Sequence, residues 1–193
     1  MKKEILLIGG GGHCKAVIDV IEQTGLYTIA GIIDHKELLG QKVLGYEVIG
    51  CDDDLETLHH RYPYALITVG QIRTPDVRIR LFEHLKRIGY ILPAVISPRA
   101  YVSQHAAVGE GTVVMHDALI NAQARVGSNC IINTKALLEH ETTVADHCHI
   151  STACILNGGT DVGEGSFIGS NAVSKEGSRV AERSFIKAGS IIK

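Results

Sequence analysis

The chain has 193 residues with a formal net charge of −2, enough for one large domain or two small ones that each bury a core. The near-neutral balance excludes bulk electrostatic attraction to nucleic acid or to an anionic membrane. Tryptophan is absent and no basic cluster interleaved with aromatics occurs, which argues against a base-stacking platform. Five cysteines, an odd number, lack any CxxC spacing. A disulfide framework is not expected, and a reducing, cytoplasmic compartment is.

In chain order, the first ninety-odd residues alternate strand and helix patterns. "EILLIGG" is an apolar strand run, too short for a signal peptide or a membrane span. "CKAVIDVIEQTG" has helical spacing, with Ala16, Val17, Val20 and Ile21 on one face and Gly25 as its stop. "YTIAGIID" reads as a second strand, "DDDLETLHHRY" as a short helix opened by capping aspartates, and "YALITVG" as a third strand. "PDVRIRLFEHLKRIG" is a helix with proline near its start, basic residues in its last turn and glycine after it. The alternation predicts a small parallel sheet with helices on its faces, a Rossmann-like domain over residues 1–93.

From residue 94 to 193 the period changes to six. Every sixth residue from Ile96 to Ile192 is aliphatic, Ser174 excepted, and the residue four further on is small throughout, from Ala100 to Ser190. A six-residue period fits neither a helix nor a simple strand alternation; it predicts a hexapeptide parallel β-helix. Each hexad supplies a short strand and a turn, and three hexads close one triangular coil. The aliphatic slot fills the interior, stacked on the residue eighteen positions away, and the small slot turns the corner. Such an array buries its apolar edge only against neighbouring coils. Ser174 reads as a local defect in this core. Pro93 and Pro98 bracket the boundary.

"GGGGH" (Gly9 to His13) follows a strand and opens a helix. Glycines admit close approach of a ligand to the backbone, and a helix N-terminus offers free N–H groups, a combination suited to phosphate. Asp34 ends the second strand about twenty residues later, where dinucleotide folds place a carboxylate against ribose hydroxyls. The sheet is short for a complete dinucleotide site, which favours a UDP-sugar over NAD.

"LLEHETTVADHCHIS" (138–152) holds three histidines, three carboxylates and a cysteine. A metal site would need three or four ligands converging on one point. The repeat instead scatters them: Cys148 falls in the small slot, and His140 and His149 lie half a coil apart. No metal site is expected. His140 beside Glu141 fits a general base with its orienting carboxylate, because imidazole titrates near the working pH and a carboxylate on the other ring nitrogen fixes the tautomer. His147 reads as a surface or interface residue, and a covalent thiol mechanism through Cys130, Cys148 or Cys154 is not expected.

On "IGGGGHCKAV", "IIDHK", "ITVG", the hexads and "LLEHE", the whole chain resembles the bacterial sugar O- and N-acetyltransferases, which include UDP-4-amino-sugar N-acetyltransferases of bacillosamine synthesis and sialic-acid O-acetyltransferases. The resemblance implies a left-handed coil, a homotrimer, and acetyl-CoA in the groove between neighbouring prisms. It implies that His140 and Glu141 are catalytic, that His149 stabilises the developing oxyanion at the acetyl group across a subunit interface, and that Gly158, Ser170 and Ala188 line the acetyl-CoA channel. It places the nucleotide sugar on Gly11, Gly12, His13, Asp34, His35 and Gly70. Relatives run on past the last hexads into a short tail, whereas this chain ends at "SIIK"; that leaves the far end of the groove without its expected cover. The expected activity is N-acetylation of a UDP-linked amino sugar. The alternatives are a sugar O-acetyltransferase, a β-helix carbonic anhydrase and a non-catalytic scaffold.

Overall fold

The computed structural model describes residues 2–193. The chain forms two compact units: residues up to Gly70 together with Arg78–Pro93, and Gln71–Val77 together with Ala94–Lys193. The segment Gln71–Val77, which the sequence pattern places in the first domain, therefore groups with the second.

In the first unit, β1 (Lys3–Ile8), β2 (Tyr27–Ile33), β4 (Tyr46–Gly50) and β5 (Tyr64–Ile67) are parallel. Their order is β4-β2-β1-β5, and β3 (Lys42–Val43) pairs antiparallel on the β4 edge. The last four residues of β1 are all buried, as a strand covered on both faces requires. The helices are α1 (Gly12–Thr24), α2 (Leu55–His59) and α3 (Asp76–Ile88), the last belonging to this unit from Arg78 onward. α1 ends on Gly25 in the left-handed region (φ 63), the conformation glycine supplies most cheaply at a helix stop. Its inward face is Cys14, Val17, Ile18, Val20 and Ile21; Ala16, expected on it, is exposed. The buried Arg78 donates from Nη1 to the carbonyls of Ile67 (3.1 Å) and Val69 (2.7 Å), tying α3 to the end of β5.

In the second unit, two-residue strands from Val95–Ile96 to Ile191–Ile192 form three parallel sheets of six, five and six strands. Each strand pairs with the one eighteen residues away, as in Leu119↔Leu137 and Arg125↔Thr143. Sheet I runs from Tyr101 to Ile192, sheet II from Ala107 to Val180 and sheet III from Val95 to Ile186. The second residue of each strand enters one continuous core that includes Ile120, Leu138, Ile150, Leu156 and Ile168. Every sixth residue from Gly111 to Gly189 takes a positive φ, whatever its type: Asp117 (58), Gln123 (61), Glu141 (59) and His147 (60) among them. The left-handed backbone at Glu141 thus belongs to the corner of the fold and marks no strain peculiar to that residue.

At the corner between sheets II and III the small slot is a polar ladder. Thr112 Oγ1 donates to Gly127 O (2.7 Å) and accepts from Cys130 N (2.9 Å). Cys130 Sγ donates to Ala145 O (3.2 Å) and accepts from Cys148 N (3.4 Å). Cys148 Sγ donates to Gly163 O (3.2 Å), and Ser166 Oγ to Ala181 O (2.9 Å). Thiols and hydroxyls interchange because each rung needs one small group that both donates and accepts, which leaves few buried backbone groups unpaired.

Ser174 is more than a defect. Its hydroxyl accepts from Asn157 N (2.8 Å) and lies 2.8 Å from Thr160 Oγ1, and its carbonyl accepts from Asn157 Nδ2 (2.5 Å). Elsewhere in sheet I the equivalent N–H bonds the carbonyl of the next coil, as Glu139 N does to Leu156 O (2.9 Å). The serine redirects one rung into a side-chain network that fixes the turn at Asn157–Gly158.

Candidate active site

The glycine loop closes the carboxyl ends of three parallel strands. Gly9 N donates to Ile33 O at 2.8 Å, and Thr68 Oγ1 donates to Gly9 O at 2.6 Å. Gly9 has φ 105, and a Cβ there would lie 2.5 Å from Val69 Cγ2, so only glycine fits. Asp34 Oδ2 accepts from Gly10 N (2.6 Å) and Oδ1 from His35 N (2.7 Å). The carboxylate thereby holds the loop in place, with acceptor capacity left on both oxygens. Gly11 caps α1 without a side-chain bond, and a Cβ on Gly11 or Gly12 would meet nothing within 4 Å. The first N–H groups of the helix face open space, the arrangement that receives an anion. A Cβ on Gly70 would lie 3.6 Å from His13 Cβ, so β1 and β5 bring Gly11, Gly12, His13 and Gly70 together. This is where the strand order reverses between β2-β1 and β5, the ligand crevice of open α/β sheets. His35 is exposed beside them.

His140 and Glu141 sit at the corner between sheets I and II. His140 Nδ1 is 3.1 Å from Glu141 Oε2, with the two side chains 58% and 64% exposed. The imidazole lies over Gly158, one coil on: a Cβ there would fall 2.6 Å from Cε1 and 2.8 Å from Nε2. Two neighbours that the residue pattern did not single out steady this corner. Glu139 Oε2 accepts from Asn121 Nδ2 (2.8 Å) and from the His140 backbone N (3.3 Å). Both sit exactly where the eighteen-residue offset would have pointed: 121 and 139 differ by one coil.

The other histidines lie elsewhere. His149 is on sheet III, 7% exposed. Its Nδ1 donates to Gln71 O (2.5 Å), its Nε2 is 3.1 Å from Asn133 Nδ2, and Phe167 packs edge-on at 5.1 Å. Both ring nitrogens thus have partners within the chain, and the first pins the 71–77 segment. His147, expected at the surface, is 9% exposed; its Nδ1 is 2.9 Å from Asn129 Nδ2, and its carbonyl accepts from Gln71 Nε2 (2.9 Å). The corner between sheets II and III is covered there, which the hexad pattern alone does not reveal. Gly158 shares the corner of His140, whereas Ser170 and Ala188 lie at the corner between sheets III and I. Ser170 Oγ is 3.0 Å from Ser151 Oγ, and Ala188 is exposed. Among the described residues no three His, Cys, Asp or Glu side chains are grouped as a metal ion would need.

Residues 4–85 match the PglD N-terminal domain family. The acetyltransferase domain of PglB from Neisseria gonorrhoeae is 31% identical, with a TM-score of 0.92, over 100% of this chain and 92% of that one. Perosamine N-acetyltransferase from Caulobacter crescentus, solved with CoA and GDP-perosamine as a variant with one histidine replaced by asparagine, is 32% identical, with a TM-score of 0.93, over 98% of this chain and 88% of that one. The chain belongs to the sugar acetyltransferases of the left-handed β-helix type. This sugar acetyltransferase shares its fold with WeeI from Acinetobacter baumannii at 18% identity and a TM-score of 0.77, over 98% of this chain and 96% of that one. Among curated proteins, an uncharacterised protein of Acanthamoeba polyphaga mimivirus is 32% identical over 110 residues, 57% of this chain; the match spans 21% of the viral protein, about a fifth of its length.

Proposed function

We propose that the protein transfers acetyl from acetyl-CoA to the amine of a nucleotide-linked amino sugar, a UDP-linked 4-amino sugar being the first candidate. The observation that carries this reading is the His140–Glu141 pair. With Nδ1 held by Glu141, Nε2 is the nitrogen left to take a proton. An amino sugar is largely protonated near neutral pH and cannot attack a thioester until a base removes that proton. In the proposed reaction Nε2 of His140 accepts the amine proton, the amine nitrogen bonds to the thioester carbonyl carbon, and the C–S bond breaks to release coenzyme A. Glu141 stabilises the imidazolium that forms.

The acetyl-CoA relatives in this family, PglB's acetyltransferase domain with acetyl coenzyme A and perosamine N-acetyltransferase with CoA, support the donor. The outer residues of sheet I support a homotrimer: Leu119, Leu137, Ile155 and Val173 are apolar, whereas sheet II presents Arg125, Thr143, Asp161 and Arg179. Three prisms joined through sheet I would set the corner of His140 and Gly158 in one subunit beside the corner of Ser170 and Ala188 in the next. That groove is the proposed acetyl-CoA channel, with His149 acting on the acetyl end from the neighbouring subunit. Gly11, Gly12, His13, Asp34, His35 and Gly70 form the proposed nucleotide-sugar site. No helix among the described residues is long and apolar enough to cross a membrane, and we place the enzyme in the cytoplasm with its soluble substrates.

The test is acetyl-CoA consumption against UDP-linked 4-amino and 3-amino sugars, GDP-perosamine and free sialic acid. Turnover of a nucleotide-linked amino sugar is expected. His140→Ala should then lower kcat by about 10²–10⁴-fold, the range for a general base, with coenzyme A binding kept. Wild-type turnover in that variant refutes the base assignment.

A further inference from the structure

Below the His140 corner, toward the earlier coils, sheet II carries a recess of about 550 Å³ lined by Gln104, His105, Gln123, Arg125, Glu141 and Thr143. It lies wholly on the β-helix unit and spans three coils. Its size is in the range of small-molecule pockets, about 300–1,000 Å³. Glu141 is a wall of the recess and, at the same time, the partner of His140 Nδ1.

Arg125 sits at the centre. In the sheet it is flanked by Ala107 on one side and Thr143 on the other, and these short side chains leave the space around the guanidinium open. The other paired arginines of the prism make a useful contrast. Arg99 bonds Asp117 at 3.0 Å, Arg179 lies 3.8 Å from Asp161, and Arg183 bonds Asp76 at 2.8 Å. Among the described residues the Arg125 side chain has no such carboxylate. The lining is planar and polar: a guanidinium, two carboxamides, an imidazole and a hydroxyl. These groups pair with adjacent oxygens of a polyol, since guanidinium presents a rigid fork of donors and carboxamides both donate and accept.

Direction completes the argument. Gly158 occupies the side of His140 toward the later coils, where the proposed donor channel runs. An acceptor amine at His140 Nε2 must then extend its ring toward the earlier coils, where the recess opens. We infer that this recess holds the sugar ring of the acceptor, with Arg125 as its specificity-determining side chain bonding ring hydroxyl or acylamido oxygens. The inference rests on the acetyl-transfer reading above.

The experiment is steady-state kinetics of full-length protein with a UDP-linked 4-amino sugar and with GDP-perosamine. Arg125→Ala should raise KM for the sugar nucleotide tenfold or more, leave KM for acetyl-CoA unchanged and keep kcat within about threefold, the pattern of lost uniform binding. Arg125→Lys should fall between, and Arg179→Ala, on the same sheet but paired with Asp161, should leave all three constants unchanged. Equal melting temperatures across the set establish that folding is intact. An unchanged acceptor KM in Arg125→Ala, or a rise in the acetyl-CoA KM instead, overturns this site while leaving acetyl transfer standing. Absence of turnover by the wild type with every amino sugar refutes the acetyl-transfer reading, and the recess assignment falls with it.

Discussion

Gly158→Ala separates stability from catalysis at one atom. A Cβ on Gly158 would lie 2.6 Å from Cε1, 2.8 Å from Nε2 and 3.2 Å from Nδ1 of His140. Carbon atoms in contact prefer about 3.5–4.0 Å, so the ring must retreat by about 1 Å. The retreat is cheap for the fold. His140 is more than half exposed, and Gly158 is not among the glycines at positive φ, in contrast to Gly159 at φ 65. Alanine is therefore compatible with the backbone and restricts the unfolded chain, worth about 0.4–1 kcal/mol in its favour. Stability should stay within about 1 kcal/mol of wild type.

The chemistry is less forgiving. Moving the base by about 1 Å breaks its alignment with both Glu141 and the amine, and misplacement on that scale costs about 10²-fold in rate, or about 2.7 kcal/mol of transition-state stabilisation. The assay is kcat with saturating acetyl-CoA and a 4-amino-sugar nucleotide, alongside a urea melt. A loss of about two orders of magnitude in kcat with an unshifted melt is expected. Full turnover would show that the ring position over Gly158 is irrelevant to proton transfer and would refute the reasoning. A defect confined to KM for acetyl-CoA would make Gly158 a wall of the donor channel and nothing more.

Two further outcomes follow from the packing. Ser174→Ala removes the acceptor of the Asn157 N–H in a buried turn. An unsatisfied buried group costs about 1–3 kcal/mol, so the urea midpoint should drop and kcat should fall with it, because Gly158 rides on that turn; an unmoved midpoint would show that the ladder simply reverts to its regular pairing. Burial pushes the Cys14 thiol up to about 11 and the Cys154 thiol up to about 12. A raised pKa means less thiolate at any lower pH, roughly one part in a thousand at pH 8 for Cys14. In an aromatic-disulfide titration of the native protein, half-buried Cys51 should therefore react and the other four, all buried, should not until urea is added. Rapid native reaction of all five thiols would contradict the closed ladder.

The prism was legible because its two constraints recur in residue chemistry. An aliphatic interior and a small corner each admit few residue types, so period six survives in the letters. The left-handed corner recurs just as strictly from Gly111 to Gly189, yet it left no trace, since Asp117, Lys135, Glu141 and Arg183 share a backbone angle and no chemistry. The hairpin of β3 and β4 was missed for the same reason. Its turn uses Leu44 at φ 50 before Gly45 at φ 91, and leucine gives no signal for a turn that asks for positive φ at both positions. The segment Gln71–Val77 carries no periodicity at all. Its placement comes from Gln71, whose carbonyl and amide bond His149 and His147, contacts seventy-odd residues away that no local pattern announces.

The same logic explains why the dense stretch at 138–152 is not a cluster. In a coil of eighteen residues, adjacency in space follows differences of eighteen, and adjacency in sequence follows the perimeter. His140 therefore meets Gly158 and, through Glu139, Asn121, while His147 meets Asn129. His149, nine residues on, serves a different face. A fold of this kind builds a site by stacking single residues from successive coils along one corner, so each can change without disturbing the interior beneath it. Glu141, Gln123 and His105 form one such column, at intervals of eighteen residues, on the lining of one recess. Substitution along that column and at Arg125 beside it alters what the corner touches, while Leu138, Ile120 and Val102 behind it keep the prism closed. Acceptor preference and fold stability are thereby written on opposite sides of the same short strands.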